Sequence, residues 1–210
     1  DRALLTYMGA IPSLFPELLP ENLLEKTRHI HFGSYYLQKG MQEHWHELFE
    51  NAQKEGISTS FDTGWDPNGE WRKDPICRLL KHTDLFIPSQ EEFHNIFGRV
   101  DGRKIFEILP AVRGMIAIKC GSKGSCLLSK NQVVETSGYP VHPIDTTGAG
   151  DSFNAGLISG YLKGKRGTEL LNFANACGAL ATLRVGGTGN VPDLNEVESF
   201  MASAESTTPN

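Results

Sequence analysis

Residues 145–156 read Asp-Thr-Thr-Gly-Ala-Gly-Asp-Ser-Phe-Asn-Ala-Gly. The small residues Gly148, Ala149 and Gly150 are predicted to open a helix that continues to Leu162. Residues without bulk let a ligand approach the backbone closely. The unpaired N–H groups of a helix's first turn and the positive end of its dipole both favour an anion. This stretch therefore predicts a phosphate site at the start of a helix.

Asp151 falls in the first turn of this predicted helix. A carboxylate beside a bound phosphate can accept the proton of an attacking hydroxyl, which typically accelerates a reaction by ~10²–10⁴-fold. The N–H groups would stabilise charge on a transferring phosphoryl group. Two interpretations of Asp151 remain open at this point, a general base and a plain cap of a helix behind a glycine turn.

On both sides of this stretch, apolar runs typical of strands alternate with segments of helical periodicity. Strands are predicted at residues 28–33, 56–62, 84–87 and 114–119, and a hairpin at 125–128 and 132–135. Helices are predicted at 41–55, 71–81, 90–97, 102–109, 149–162, 168–183 and about 194–202. This order predicts an α/β fold with a mostly parallel central sheet and helices on both faces. Such sheets bind ligands beyond the carboxyl ends of their strands.

Composition narrows the class of function. The chain has 210 residues, of which 39% are hydrophobic and 21% charged, as in an ordinary globular protein. A formal net charge of -5 argues against broad nucleic-acid binding, which requires a basic face. No apolar run approaches the ~20 residues that a membrane span needs. We therefore expect a small-molecule partner, and neither a nucleic acid nor a membrane.

The four cysteines, Cys77, Cys120, Cys126 and Cys177, form no C-x-x-C pair. This usage predicts free thiols and a reducing, cytoplasmic compartment.

The chain begins Asp1-Arg2-Ala3, and its first methionine is Met8. We expect it to be the C-terminal part of a longer protein. One domain is predicted over residues 1–202, and the polar residues 203–210 are predicted to form a flexible tail.

Residues 145–156 closely resemble the C-terminal signature of the ribokinase-like (PfkB-type) carbohydrate kinases, and the resemblance extends over nearly the whole chain. It implies a ribokinase-like fold, ATP and Mg²⁺ as cofactors, Asp151 as the catalytic base, and Gly148, Ala149 and Gly150 as the anion hole. Relatives begin with strands that this chain lacks, so most of their small β lid is expected to be missing. Because relatives commonly dimerise through that lid, the resemblance also implies a homodimer.

The segment Lys119-Cys120-Gly121-Ser122-Lys123-Gly124 resembles the T-x-G-x-x-G segment with which the family lines the nucleotide. By this resemblance Lys119, Gly121 and Gly124 bind the nucleotide near its ribose and phosphates. Taken alone, two glycines also make a plain hairpin turn, and Lys119 either pairs with a phosphate or ends its strand. In the family a helix of small residues borders the adenine. Asn175 lies in the corresponding segment, so the resemblance implies that Asn175 makes this contact. A surface Asn without a role is the alternative.

Residues 85–92 resemble the family's strand followed by its N-x-x-E motif. Glu92 fits the glutamate that organises Mg²⁺ and phosphate, largely through water. Ser89 stands where Asn is usual and lacks the reach of the amide. Without the resemblance, Glu92 is interpreted as a solvated carboxylate at the start of a helix.

Asp145 and Thr147, with the loop 186–190, resemble the place where relatives hold a monovalent cation such as K⁺. Asp145 is the expected cation ligand, and Thr147 is counted with the nucleotide-binding residues.

The resemblance implies transfer of the ATP γ-phosphate to a hydroxyl of a sugar, a sugar acid or a nucleoside. Two alternatives stay open, a pyridoxal-type vitamin kinase of the same superfamily and a regulatory or catalytically impaired homologue that binds nucleotide. The replacement at Ser89 and the missing N-terminal region favour impairment, whereas the intact Asp151 with its glycines opposes it.

Overall fold

The computed structural model describes residues 7–100, 104–109, 111–188 and 191–206. Its helices are α1 (Trp45–Lys54), α2 (Lys73–Leu80), α3 (Gln90–Phe97), α4 (Ile105–Ile108), α5 (Ala149–Leu162), α6 (Gly167–Ala181) and α7 (Leu194–Ser206). Its strands are β1 (His29–Phe32), β2 (Ser58–Phe61), β3 (Leu85–Phe86), β4 (Met115–Lys119), β5 (Ser125–Leu128) and β6 (Val133–Thr136). The six strands form a mostly parallel sheet in chain order, β1 to β6. The predicted fold class is thus confirmed.

Most predicted elements are present within a few residues, and α3 and α5 have the predicted bounds. The prediction placed the start of α1 at residue 41, whereas residues 41–44 form turns before the helix. It also extended α6 to residue 183. The backbone carbonyl of Thr182 instead accepts from the N–H groups of Ile144 and Asp145 at 2.8 and 3.2 Å. The periodicity of apolar residues along the sequence cannot predict this tertiary contact.

The chain divides into two compact units, Asp1–Ile116 and Ala117–Asn210. The α7 helix of the second unit includes residues 203–206 of the expected tail. Residues 207–210 lie outside the described part of the chain, as do Asn190 of the expected cation loop and positions 102–103 of a predicted helix. All four cysteines are free. Among the described residues, no helix has both the length and the apolar character that a bilayer span requires.

An aromatic row holds the parallel strands of the first unit together. Phe32, Phe61 and Phe86 end β1, β2 and β3 in register. Their ring centroids lie 5.4 and 4.6 Å apart in stacked arrangements. Trp45 of α1 stacks on Phe32 with centroids 3.8 Å apart. Because each buried aromatic ring removes a large apolar area from water, this row anchors α1 on the sheet.

A histidine–serine cluster joins β1 to β2 at the other end of the same strands. The two ring nitrogens of His29 lie 2.7 Å from the hydroxyls of Ser58 and Ser60, and His31 Nδ1 lies 2.8 Å from Ser60. Burial, with a smaller contribution from the neighbouring His31 and against the opposing effect of Asp84, lowers the pKa of His29 to about 4. His29 and His31 thus form hydrogen bonds to serines of the neighbouring strand, which agrees with a structural role for both histidines.

The stability of the protein should fall as the pH is lowered from about 6.5 towards 4. His29 takes up a proton more readily in the unfolded chain than in the folded one, so acid favours unfolding across this window. Chemical unfolding at a series of pH values should show a shallower pH dependence for His29→Gln. Burial also lowers the pKa of His82, so part of the pH dependence should remain in the variant. The difference between the variant and the wild type is the contribution of His29. His142→Gln, at an exposed position, is the matched control, and an unchanged slope in His29→Gln would contradict the assignment.

In the second unit, α5 and α6 approach each other through small residues. A Cβ added to Gly156 would lie 2.7 Å from Cys177 Sγ and 3.2 Å from Ala174 Cα. A Cβ added to Gly178 would lie 3.2 Å from the carbonyl oxygen of Ala149. Glycine is therefore needed at Gly156 because any larger residue would push the helices apart.

Gly156→Ala should lower the free energy of unfolding by about 1–3 kcal/mol, the usual cost of overpacking. Gly150→Ala is the matched control, since its new Cβ would meet only Lys119 Nζ at 3.9 Å. Alanine is the better helix former, so this control should keep or raise stability by up to about 1 kcal/mol. Urea unfolding of both variants measures the difference. Equal stabilities would show that the helix contact is not tight.

Candidate functional site

The loop before α5 turns into the helix at a position that only glycine fits. Gly148 has φ +77° and ψ -1°, in the left-handed region. A Cβ there would lie 2.5 Å from the carbonyl oxygen of Gly187. The carbonyl of Gly148 then accepts the N–H of Ser152 at 2.9 Å, which starts the helical ladder. Conformation and close packing thus both require Gly148.

The first turn of α5 presents donors to solvent. Gly150 and Asp151 are exposed, and Ala149 is half-buried. Within the described residues, no backbone carbonyl accepts from the N–H of Gly150 or Asp151. These groups and the helix dipole make a positive site of the kind that anions occupy. The Asp151 carboxylate lies in the same turn.

Asp145 ties together the two loops that flank this turn. Its carboxylate accepts from the backbone N–H groups of Thr147 and Gly186, each at 2.9 Å. The bond from Gly186 and the bonds from Thr147 lower the pKa of Asp145 below its ordinary value. The carboxylate is therefore ionised throughout the neutral range. Asp145 thus acts first as a backbone clamp for the entry to α5.

Lys119 places a cation beside the turn. It ends β4, and its Nζ donates to Asn154 Oδ1 of α5 at 3.2 Å. A Cβ built on Gly150 would lie 3.9 Å from the same Nζ. The ammonium group and the first-turn N–H groups therefore converge on one place, which strengthens an anion site. Lys119 thus ends its strand and bonds to Asn154, and its pairing with a phosphate stays a prediction.

The segment after β4 forms a tight turn with two left-handed glycines. Gly121 has φ +60° and Gly124 has φ +100°. A Cβ on Gly124 would lie 2.0 Å from the carbonyl oxygen of Thr136 on β6. The N–H of Cys120 donates to the Gly124 carbonyl at 2.8 Å. The turn is thus packed directly on the end of the hairpin.

A cavity of about 430 Å³ lies in front of these elements in the second unit. The predicted site residues Lys119, Gly121, Gly124, Ala149, Gly150 and Asn175 line it. Further lining residues, which the sequence analysis missed, include Tyr139, Pro140, Val141, Pro143, Phe153 and Thr182. The volume falls within the range of small-molecule sites, about 300–1,000 Å³. The cavity is therefore large enough for a ligand with a ring system.

The cavity has an apolar part and a polar part. The segment after β6, which has no regular secondary structure, contributes ring and aliphatic surfaces through residues 139–141 and Pro143. Lys119 and Gly150 bring the ammonium group and the first-turn N–H groups. A molecule with a flat apolar ring and an anionic tail matches this division. The only sequence signal for the ring side was a Tyr-Pro-Val-His-Pro run with no helical or strand periodicity.

Asn175 is buried on α6 and lines the cavity, so the alternative of a surface Asn is wrong. Its Nδ2 donates to Thr136 Oγ1 at 2.8 Å and to the Ser137 carbonyl at 3.4 Å. The side chain thus fixes the chain leaving β6, which continues into the apolar wall of the cavity. A contact between Asn175 and an adenine stays a prediction.

Glu92 and Ser89 lie in the first unit, at the start of α3. Ser89 Oγ accepts from the N–H of Glu92 at 3.2 Å, and Glu92 Oε2 accepts from the N–H of Ser89 at 2.7 Å. The two residues form a reciprocal capping box. Serine is among the residues that suit an N-cap, so Ser89 has a local structural role at the start of α3. A role for Glu92 at a metal stays a prediction.

No group of three or more His, Cys, Asp or Glu side chains within the described ranges is arranged to hold a metal ion.

Comparison with known proteins places the site in a family context. Residues 1–194 match the pfkB family carbohydrate kinases. An uncharacterized sugar kinase of Archaeoglobus fulgidus is 28% identical over 91% of this chain and 76% of its own length. An ATP-dependent 6-phosphofructokinase of Thermoanaerobacterium thermosaccharolyticum is 24% identical over 85% of this chain and 57% of its own.

Among solved structures, an E. coli protein described as a ribokinase II, in complex with ATP and Mg²⁺, is 27% identical. It superposes with a TM-score of 0.80 over 91% of this chain and 64% of its own length. The chain thus spans less than two thirds of the phosphofructokinase and of the E. coli structure.

Asp145→Ala should release both loops that flank the first turn of α5. Hydrogen–deuterium exchange should become faster at the amides of Thr147 and Gly186, whose N–H groups the carboxylate accepts. Asp145→Asn retains one acceptor oxygen and should give intermediate exchange. Unchanged protection of both amides in the alanine variant would show that Asp145 does not clamp these loops.

Proposed function

This chain belongs to the pfkB family of carbohydrate kinases, and on that premise we propose that the protein is an ATP-dependent phosphotransferase acting on a hydroxyl of a sugar, a sugar acid or a nucleoside. The observation that carries the proposal is that Lys119 and the first-turn residues Ala149 and Gly150 line one cavity of about 430 Å³, with the exposed Asp151 following them in the same turn. If Asp151 only capped the helix, neither the Lys119 ammonium group nor a cavity beside the first turn would be required.

The purine ring of ATP is proposed to lie in the apolar part of the cavity, between residues 139–143 and the α6 residues Gly178 and Ala179. Gly178 has no side chain and Ala179 has only a methyl group, which leaves room for a flat ring, as in other sites built mainly from apolar surface. The phosphates then extend towards Lys119 and Gly150. Tyr139 lines the ring end and adds aromatic surface.

The anion hole is proposed to consist of the N–H groups around Gly148, Ala149 and Gly150. These donors are held by the helix and by the close contact of Gly148 with Gly187, so they need no rearrangement when charge develops. Lys119 would add a mobile positive charge on the same group. Phosphoryl transfer depends mainly on such positioning and charge stabilisation.

Asp151 is proposed as the general base. It is exposed in the turn that holds the anion site, so an acceptor hydroxyl can reach both its carboxylate and the phosphoryl group. The carboxylate would accept the hydroxyl proton as the oxygen attacks the γ-phosphorus of ATP, whose bond to the β–γ bridging oxygen breaks and releases ADP. The proton would leave with the phosphorylated product or pass to water.

Mg²⁺, when bound with ATP, would neutralise phosphate charge. That Glu92 holds this ion through water stays a prediction of the family resemblance, and within the first unit its carboxylate accepts the N–H of Ser89 at the start of α3. A monovalent cation near Asp145, a homodimer and a cytoplasmic location stay predictions of the family resemblance.

Asp151→Asn should reduce phosphorylation by about 10²–10⁴-fold while ATP binding is retained, because the amide cannot accept the proton but keeps the shape of the side chain. The assay is ADP release over a panel of sugars, sugar acids and nucleosides, with ATP affinity measured separately. Glu198→Gln, which removes an exposed helical carboxylate elsewhere, should leave both quantities unchanged.

Equal turnover by the wild type and Asp151→Asn would remove Asp151 as the base. ATP binding without turnover on the whole panel would favour a regulatory homologue instead. Turnover on a pyridoxal-type acceptor alone would favour the vitamin kinase. A failure to bind ATP at all would refute the proposed site.

A further inference from the structure

The apolar wall of the 430 Å³ cavity is a segment without regular secondary structure. Tyr139, Pro140, Val141 and Pro143 contribute this wall. In the part of the chain that the structure describes, the backbone of residues 140–143 forms no hydrogen bond to another backbone group. The position of the wall therefore depends on the two ends of the segment and on the side chains that pack against it.

Both ends of the segment are held by the main chain of other elements. At the start, a Cβ added to Gly138 would lie 2.5 Å from the carbonyl oxygen of Ser122, so the chain there lies against the turn that follows β4. At the end, the N–H of Ile144 donates to the carbonyl of Thr182 at 2.8 Å. Residues 139–143 lie between these two contacts, so side-chain packing must hold the wall there.

The C-terminal helix α7 supplies this packing through Phe200. The ring centroids of Phe200 and Tyr139 lie 5.0 Å apart, with an angle of 51° between the ring planes. This distance is within the range of favourable aromatic pairs, about 4.5–7 Å. Both rings are half-buried and pack against a core cluster that consists of Phe173, Ala176, Cys177 and Val197. Phe200 itself does not line the cavity, so its effect on a ligand there must pass through Tyr139.

Helix α7 is also held at its start, independently of Phe200. The N–H of Glu196 donates to Asp193 Oδ1 at 2.9 Å, and the N–H of Asp193 donates to Glu196 Oε2 at 3.0 Å. Arg184 Nη2 donates to Glu196 Oε1 at 3.2 Å, and Val197 is 2% exposed. Because these contacts keep α7 docked, a substitution at Phe200 tests its contact with Tyr139 and not the docking of the helix.

A smaller cavity of about 170 Å³ lies between α5 and the start of α7. Its lining includes Ser152 and Ser159 of α5 and Leu194 and Val197 of α7, and none of its lining residues lines the larger cavity. Open space thus separates the start of α7 from α5. The contact of Phe200 with Tyr139 is therefore where α7 reaches the wall of the larger cavity.

We infer that Phe200 is a positioning residue for the proposed ATP site, because its ring holds Tyr139 in the wall against which the purine is proposed to bind. This inference rests on the proposed function. The phosphate end of the site, at Lys119 and Gly150, is held separately by β4 and α5. Loss of the Phe200 ring therefore weakens the binding of the purine end of ATP and leaves the phosphate end unchanged.

Phe200→Leu removes the ring and keeps an apolar side chain on α7. Calorimetry should show a Kd for ATP about two- to tenfold higher than that of the wild type, the loss expected for one aromatic pair. The affinity for tripolyphosphate, which lacks the purine and the ribose and is measured by displacement of ATP, should not change. Phe200→Tyr keeps the ring and should bind ATP as the wild type does. Ser199→Ala changes an exposed neighbour on the same helix and is the matched control.

A double-mutant cycle tests whether Phe200 acts through Tyr139. In a Tyr139→Leu background, the further change Phe200→Leu should alter the Kd for ATP by less than about twofold, since the contact is already lost. Urea unfolding of each variant ensures that folded proteins are compared. A role of Phe200 in general stability alone would give the same loss in both backgrounds.

The outcomes separate the inference from the proposed function. A wild type that binds no ATP refutes the proposed function, and the inference with it. If the wild type binds ATP, three results overturn the inference alone. They are an unchanged Kd for ATP in Phe200→Leu, equal losses for ATP and tripolyphosphate, and additive effects of the substitutions at Phe200 and Tyr139.

Discussion

The close approach of α5 and α6 is the contact on which the candidate site depends. A Cβ on Gly156 would lie 2.7 Å from Cys177 Sγ, which leaves no room for a side chain, and a Cβ on Gly178 would make a tight contact of 3.2 Å with the carbonyl oxygen of Ala149. Because α5 is held this closely, its first turn stands at a fixed place beside α6. The larger cavity then has walls from both helices, with Ala149 and Gly150 on one and Gly178 on the other.

Backbone clamps complete what the helix contact begins. The Asp145 carboxylate holds Thr147 and Gly186, and the Thr182 carbonyl holds the chain just before Asp145. Asn175 holds the end of β6, from which the apolar wall of the cavity continues. These polar side chains do not need to touch a ligand to matter. They fix the loops whose backbone and rings form the site, so the donors are in place before a charged group arrives.

The α5 helix presents different faces to two cavities. Ala149, Gly150 and Phe153 face the larger one, whereas Ser152 and Ser159 face the smaller one. A helix with 3.6 residues per turn separates neighbours in sequence onto different faces, so Asp151 and Ser152 serve different surroundings. The same small residues that allow the helices to approach also leave the space that both cavities occupy.

Local periodicity determined the alternation of strands and helices and the start of α5, because these depend on neighbours within a few residues. The string 145–156 was sufficient to predict where α5 begins, behind the left-handed Gly148, whereas the role of Asp151 stays a prediction. Only the tertiary structure decided that Lys119 reaches Asn154, that Asp145 clamps Gly186, and that residues 139–143 line the cavity. These contacts join residues 35 or more positions apart or depend on an aperiodic segment, so they follow from packing and not from any local pattern.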